Sequence, residues 1–349
     1  MNRYVSYACL SLVVCAGASR AAAPPVAPAV RSISLAEAAK IALENDGYRV
    51  ERGEDGTLGV SHPKRSDSLE ALRTANQKLL NIEVAYWNLY QWQKARSARE
   101  RAVRNSRELL RLCKTRHEEG TASKEEVSLA RKQYRSLRKQ SRAAADVASE
   151  MERQLVALTG LGAGSRVRPS DHPSLKRERP DWDAALREAA ARRPELLMIR
   201  NDVASASANL SAVKTFGGLL GMFSGWQPSP MLVRTLQVQL ARDLEVLKDQ
   251  EGKAQNFLEL YYRRLNLNYK QIQSIRAQRE AFGELLIARK VQYAAGRCSL
   301  AELLEAQRFQ ADAQTQEYAA IGTYNNARAG FDYGKGTTLD RHRMVFGQR

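Results

Sequence analysis

A short motif that occurs twice constrains the fold more than any other feature of this sequence. Residues 116–127 read RHEEGTASKEEV, and residues 292–303 read QYAAGRCSLAEL. Three pairs of matching residues are each separated by 176 positions: Gly120 and Gly296, Ser123 and Ser299, Glu126 and Glu302. A constant separation indicates that the chain contains two copies of one ancestral unit.

Each copy of the motif is typical of a bend between two helices. A glycine ends a helix well because it adopts the left-handed conformation at little cost. A serine followed three residues later by a glutamate is a capping box, which begins a helix. Apolar residues recur at helical spacing on both sides of the bend, and Ser68–Lys114 contains neither proline nor glycine. We therefore predict one long antiparallel helical hairpin in each copy.

The fold class that follows is mainly α, with duplicated long antiparallel helical hairpins and little or no β structure. The first hairpin is predicted over residues 68–160 and the second over 234–336. The predicted segments between and around them are a linker, short helix and small hairpin at 24–67, a linker at 161–180, a short helix and a loop rich in glycine, proline and aromatic residues at 181–233, and a tail at 337–349.

The first 23 residues have the features of a secretory signal peptide. Arg3 provides positive charge, Tyr7–Ala18 is apolar, and Ser19–Ala23 offers small residues for cleavage. Cys15 is a poor lipidation site because the bulky Val14 precedes it. No later stretch contains eighteen continuous apolar residues, so no transmembrane helix is predicted. We expect export to the cell envelope, in the periplasm or at the periplasmic side of the outer membrane.

The basic charge of the chain raises the alternative of nucleic-acid binding. The formal net charge is +17, with 55 Lys or Arg against 38 Asp or Glu. Residues 94–142 hold sixteen of the basic residues and six glutamates. Export removes the chain from nucleic acid, so a solvated helix surface, or contact with acidic partners or lipid head groups, is favoured over nucleic-acid binding.

No catalytic, metal or cofactor site is predicted. The motifs GxSxG and HExxH are absent, and Ser123 and Ser299 have no nearby histidine base. Cys113 and His117 stand four residues apart without a third ligand. Cys113 and Cys298 are expected to be free thiols. We therefore expect a protein that is not an enzyme.

Five segments in order resemble the TolC-type outer-membrane efflux protein family. They are SLAEAAKIALEN with AALREAAARRPELL, EVAYWNLY, TRHEEGTASKEEVSLARKQY, KVQYAAGRCSLAELLEAQRF, and EYAAIGTYNNARAGFDYGKGTTL. The resemblance implies a homotrimer in which twelve long helices form a tube through the periplasm. It also implies an efflux function, with docking of the tube onto a periplasmic adaptor protein and an inner-membrane pump.

The resemblance assigns roles to residues at the bends. Tyr293 matches the family's gate tyrosine, and Glu126 matches the aspartate that bonds to it. Glu302 and Glu305 match paired aspartates that ring the entrance, whereas Cys298 stands where the family has arginine. The alternative is that Tyr293 only packs the hairpin and that the capping glutamates only cap. The residues matched to the adaptor-docking tips are Gly120, Thr121, Ser123, Gly296, Arg297 and Ser299.

The sequence departs from the family in its membrane-crossing strands. Each such strand needs about 9–11 alternating residues, and the insertion points at Arg49–Lys64 and Phe216–Gln239 do not provide four. We expect these strands to be reduced or missing. Phe216, Phe223 and Trp226 could then contact the outer membrane, or instead form a buried apolar loop. The alternative function is a non-conducting periplasmic coiled-coil scaffold derived from the family.

Overall fold

The computed structural model describes residues 30–53, 55–62, 68–162, 164–224 and 228–347. The predicted signal peptide, Cys15, Trp226 and the side chain of Phe223 lie outside the described residues. In the described part the helices are α1 (Leu35–Asn45), α2 (Ser68–Glu118), α3 (Lys124–Thr159), α4 (Trp182–Arg192), α5 (Pro194–Ser224), α6 (Pro230–Ala294), α7 (Leu300–Lys335) and α8 (Thr338–Arg341).

Four long helices dominate the architecture. Helix α2 has 51 residues and α6 has 65, which correspond to about 75 Å and about 95 Å at 1.5 Å per residue. Helix α2 packs against α3 and α7, and α7 packs against α6. The helices therefore form an array in the order α3, α2, α7, α6. This arrangement confirms the predicted mainly α fold with two long antiparallel hairpins.

The strands in the described part are three or four residues long. Strand β1 (Val30–Ile33) pairs in parallel with β4 (Arg166–Pro169). Strand β2 (Arg49–Arg52) pairs antiparallel with β3 (Leu58–Ser61), so the small hairpin predicted in this region is present. Strand β3 also pairs in parallel with β5 (Met344–Phe346).

Tyr86 anchors the segment after the first hairpin onto α2. Its buried hydroxyl donates to the carbonyl of Ile33 at 3.0 Å and accepts from the backbone N–H of Ser170 at 3.1 Å. Val167 of β4 and Ile33 of β1 are both buried in the same cluster. The segment predicted as a linker at 161–180 therefore contains a strand that is tied to the core.

The loop rich in glycine, proline and aromatic residues, predicted within 181–233, is wrong for most of its length. Helix α5 continues through the glycines to Ser224, and α6 begins at Pro230, a few residues before the predicted start of the second hairpin. A glycine in a helix costs only about 1 kcal/mol relative to alanine. A proline disfavours a helix interior more strongly than a glycine does. Pro230 avoids this cost because it occupies the first turn of α6, where its missing N–H is harmless.

The prediction of a tail at residues 337–349 is also wrong. Residues 338–346 form α8 and β5, and Leu339, His342 and Met344 are buried. Arg341 Nε lies 2.7 Å from an oxygen of Glu83, whose side chain is fully buried on α2. A buried carboxylate needs a charged or hydrogen-bonded partner, and the C-terminal segment supplies one.

Candidate functional site at the hairpin tips

The two bends have the same local structure. Gly120 and Gly296 adopt φ of 74° and 69°, in the left-handed region that glycine favours. Ser123 accepts from the backbone N–H of Glu126 at 3.2 Å, and the Glu126 carboxylate accepts from the N–H of Ser123 at 3.1 Å. Ser299 and Glu302 form the equivalent box, with distances of 3.3 and 2.8 Å. The two capping boxes predicted from the sequence are confirmed.

Both tips lie at the same end of the molecule and share one apolar cluster. Residues from all four long helices contribute to this tip cluster, which consists of Leu109, Cys113, Val127, Ala130, Tyr293, Leu300, Leu303 and Leu304. Because the cluster joins residues that directly flank each bend, the hairpins cannot point in opposite directions. The arrangement brings the predicted entrance residues of the two copies into one region.

Tyr293 is the polar side chain at the centre of the tip cluster. It is only 8% exposed, and its hydroxyl oxygen lies 3.9 Å from Sγ of Cys113. The guanidinium of Arg116 lies over its ring, 5.3 Å from the centroid. Burial raises the pKa of Tyr293 above its ordinary value, so the hydroxyl keeps its proton at neutral pH. Cys113 and Cys298 are both free thiols, as predicted.

The bond expected between Tyr293 and Glu126 is not formed in the described structure. The carboxylate of Glu126 instead accepts from the backbone N–H of Ser123. Backbone N–H groups at a helix start have no partner within the helix, and the glutamate at this position is the nearest acceptor. The role that the resemblance assigns to Glu126 therefore does not rest on contact with Tyr293 within one chain.

The two glutamates of the predicted entrance ring have different environments. Glu302 caps its helix and also lies 3.2 Å from Nη1 of Arg289. Hydrogen bonds from the backbone and side chain of Ser299, together with the charge of Arg289, lower the pKa of Glu302. Glu305 is exposed, and its closest cation is Arg308 at 4.0 Å. Glu305 is thus the freer of the two negative charges.

The remaining tip residues present backbone and small polar groups to solvent. Thr121 donates its hydroxyl hydrogen to the carbonyl of Arg116 at 3.0 Å. Cys298 turns back toward its own hairpin, with Sγ 3.4 Å from the carbonyl oxygen of Arg289. Arg297 is exposed. Ser123, Ser299 and the two glycines are also exposed, so the predicted docking residues are accessible in the single chain.

Three contributors to the site were not identified from the sequence. Cys113, Arg116 and Arg289 contact the predicted residues from the neighbouring helices. Cys113 and Arg116 lie about two turns and one turn before Gly120, on the helix that leads into the bend. Their position near a predicted tip was a usable signal, whereas no motif distinguishes Arg289.

The segment predicted to contact the membrane is described in part. Phe216 lies on α5 and is 63% exposed, so it is not part of a buried apolar loop. Among the described residues, no helix is sufficiently long and apolar to span a membrane.

Solved structures with the same architecture include a bacterial membrane protein and bacterial outer membrane channels. A membrane protein from Pseudomonas aeruginosa aligns with a TM-score of 0.66 and 13% identity, over 77% of this chain and 68% of that chain. The Campylobacter jejuni CmeC outer membrane channel aligns with a TM-score of 0.64 and 14% identity, over 78% and 65% of the two chains. The Neisseria gonorrhoeae MtrE outer membrane channel, in its open state, aligns with a TM-score of 0.62 and 15% identity, over 87% and 89%.

These likenesses establish the fold. The chain has a TolC-type fold, and the resemblance found in the sequence is confirmed at that level. No protein-family model and no curated protein matches the sequence.

Proposed function

We propose that three copies of this chain form the helical tube of an outer-membrane efflux component. The tube lies in the periplasm, with the hairpin tips as its entrance. In this role the tips dock onto a periplasmic adaptor protein that connects the tube to an inner-membrane pump. The TolC-type fold and the outer-membrane channels that share it support this assignment.

The packing of α6 is the observation that carries the proposal. Leu258, Leu265 and Ile272 are buried and follow one another at seven-residue intervals. A seven-residue repeat of buried residues is the pattern of a coiled coil. This side of α6 faces α7 within the chain.

A second apolar row, interrupted by Gln239 and Lys253, lies on the other side of α6. Its members are Leu232, Val246, Leu260 and Leu267, which are separated by 14, 14 and 7 positions and are all exposed. Leu260 follows Leu258 by two residues, which is about 200° around the helix. We name these four residues the outer row of α6. A helix with apolar rows on opposite sides fits between two neighbouring helices.

A second copy of the chain is the occupant that fits the outer row. Helices α3 and α6 are the two edges of the four-helix array, and α5 also packs against α6, where Arg200 lies 2.8 Å from Glu251. If the array closes into a tube, the α6 edge of one copy meets the α3 edge of the next. Leu267 is 65% exposed in the single chain, and burial of such a side chain stabilises association by about 1.5–3 kcal/mol.

The tip cluster supports the placement of the entrance. Six copies of the bend, two from each chain, would meet at one end of a trimer. Glu302 and Glu305 lie three residues apart on one helix face, so the trimer would carry six carboxylates near its entrance. Such a ring favours cations over anions. Arg289 partly neutralises Glu302, which leaves Glu305 as the main source of this preference.

An export assay with matched variants tests the proposal. Cells that lack the chain are loaded with a panel of cationic, neutral and anionic dyes, and dye retention is measured. We expect at least one dye to be retained, and we expect the wild-type chain to restore its release. L267E, which places a charge in the outer row, is expected not to restore release. L244E places the same charge at an exposed leucine outside the row and is expected to restore it.

Two results would contradict the proposal. If no dye is retained in the cells that lack the chain, the chain is not an export component for these compounds. If L267E restores release as well as L244E does, the outer row is not a contact between copies. Either result, with the protein in the soluble periplasmic fraction, favours the alternative of a non-conducting scaffold.

A further inference from the structure

A cleft far from the tips carries an excess of positive charge. It lies where β1 and β4 pack beside α2 and α3, and it encloses about 680 Å³. The volume is within the range of sites that hold small molecules, which is roughly 300–1,000 Å³. Its lining contains five Lys or Arg side chains and three carboxylates.

All three carboxylates are engaged within the chain. Glu100 accepts from Arg96 at 2.8 Å. Glu152 accepts from Arg166 at 3.1 Å and from the backbone N–H of Val167 at 2.8 Å. Asp171 accepts from the backbone N–H of Leu35 at 2.6 Å. These contacts fix the walls of the cleft and also neutralise two of its five cations.

Three cations remain without a carboxylate partner among the described residues: Lys94, Arg101 and Arg168. Lys94 and Arg101 lie seven residues apart on α2, so they share one face of the helix. Ser97 lies between them on the same face and also lines the cleft. Cations that converge in a partly enclosed cleft attract anions more strongly than isolated surface charges do.

The short parallel sheet directs the third cation into the cleft. Arg166 and Arg168 alternate with the buried Val167 along β4, so both arginines lie on the outer face of the sheet. Ser32 is the partner of Arg168 in the strand register and belongs to the same face. The cleft therefore has cations on two walls, with serine hydroxyls beside them.

We propose that this cleft binds a small multivalent anion, such as a phosphate ester or a polycarboxylate. Arg101 and Arg168 bind its charged oxygens from opposite walls, because a guanidinium donates two parallel hydrogen bonds to such groups. Lys94 adds a third charge. Ser97 lines the site, with its hydroxyl donating to the carbonyl of Gln93 at 3.0 Å. This inference does not depend on the export function, because every residue that it uses belongs to one chain.

Titration calorimetry with the purified full-length mature chain tests the site. The probes are pyrophosphate and citrate, with acetate as a monovalent comparison. We expect one or both multivalent probes to bind and acetate not to bind measurably. Pyrophosphate binding alone identifies a phosphate ligand, and citrate binding alone identifies a polycarboxylate.

A charge-matched pair of variants separates the cleft from the general basic surface. R101Q/R168Q is expected to weaken binding at least tenfold. R107Q/R111Q removes the same charge from exposed positions on α2 outside the cleft and is expected to change affinity less than twofold. Circular dichroism would show that both variants are folded. The proposal is overturned if neither probe binds the wild-type chain, or if both variants weaken binding equally.

Discussion

Cys113 and Tyr293 meet across the two hairpins, with Sγ 3.9 Å from the hydroxyl oxygen although the residues are 180 positions apart. The contact belongs to the cluster that holds both bends at one end of the molecule. The resemblance assigned Tyr293 to a gate, and within one chain its side chain packs the tips together. The packing role depends on the aromatic ring, whereas a gate bond depends on the hydroxyl, so Y293A and Y293F distinguish the two roles.

Substitution of Tyr293 by alanine should loosen the tips. Removal of a buried aromatic side chain costs about 3–5 kcal/mol, and we expect faster backbone hydrogen exchange at residues 109–130 and 293–304. Y293F keeps the ring and should leave exchange nearly unchanged. If Y293F increases exchange as much as Y293A does, the hydroxyl and not the packing of the ring holds the tips.

Each capping serine should stabilise its own helix start. Loss of a serine cap costs about 0.5–2 kcal/mol, so S123A and S299A should each lower the unfolding free energy by about 1 kcal/mol in urea titrations. S136A, in the exposed middle of α3, is the control and should not destabilise the chain, because alanine is the better helix former. Equal effects of S123A and S136A would show that the cap contributes nothing.

Replacement of the buried Glu83 should release the C-terminal segment. Its carboxylate lies 2.7 Å from Nε of Arg341 and 3.5 Å from Nε2 of His342. Removal of one partner from a buried ion pair costs about 3–5 kcal/mol, so E83Q should lower the unfolding free energy by roughly 3 kcal/mol. Protease cleavage after Arg341 or Arg343 should become faster. E150Q, at an exposed ion pair on α3, should change neither quantity measurably.

The buried carboxylate of Glu83 should make the unfolding free energy of the chain depend on pH. Burial alone would raise the pKa of Glu83, but His342, with Nε2 3.5 Å away, and the charge of Arg341 hold it below its ordinary value of 4.5. The unfolded state therefore binds more protons in this range, so stability falls as the pH drops from about 4.5 through the lowered pKa. Urea titrations between pH 6 and 3 should show a smaller loss for E83Q than for the wild type. Parallel pH profiles would contradict this assignment.

The close contact of α7 with α6 depends on Gly330. A Cβ atom at this position would lie 2.1 Å from a ring carbon of Tyr261, so G330A forces the ring to move and should destabilise the chain by about 1–3 kcal/mol. A Cβ at Gly252 on α6 would meet nothing within 4 Å. G252A should therefore stabilise the chain by up to about 1 kcal/mol. Thermal unfolding that ranks the variants in the reverse order would contradict the described packing.

The predictions from sequence succeeded where a local pattern determines the structure. Gly120, Ser123 and Glu126 act on backbone groups within a few residues of themselves, so their roles could be predicted from spacing alone. The apolar repeat that buries Leu258 and Leu265 is equally local. These signals were sufficient for the long helices, the bends and the antiparallel hairpins.

The predictions failed where the partner is distant in sequence. Nothing beside Arg341 indicates that Glu83, near the start of the chain, needs its charge, so residues 337–349 were interpreted as a tail. Glu126 was paired with Tyr293 by analogy, but the N–H of Ser123 is closer. The glycines after Phe216 were predicted to form a loop, but each glycine disfavours a helix only weakly.

The mass and shape of the purified mature protein test the central claim most directly. Light scattering with electron microscopy of the same sample measures both. We expect a particle of three chains that appears as a hollow rod with both sets of bends at one end, and we expect L267E, but not L244E, to reduce it to single chains. A wild-type protein that remains a single chain in solution and in detergent would contradict the proposed tube.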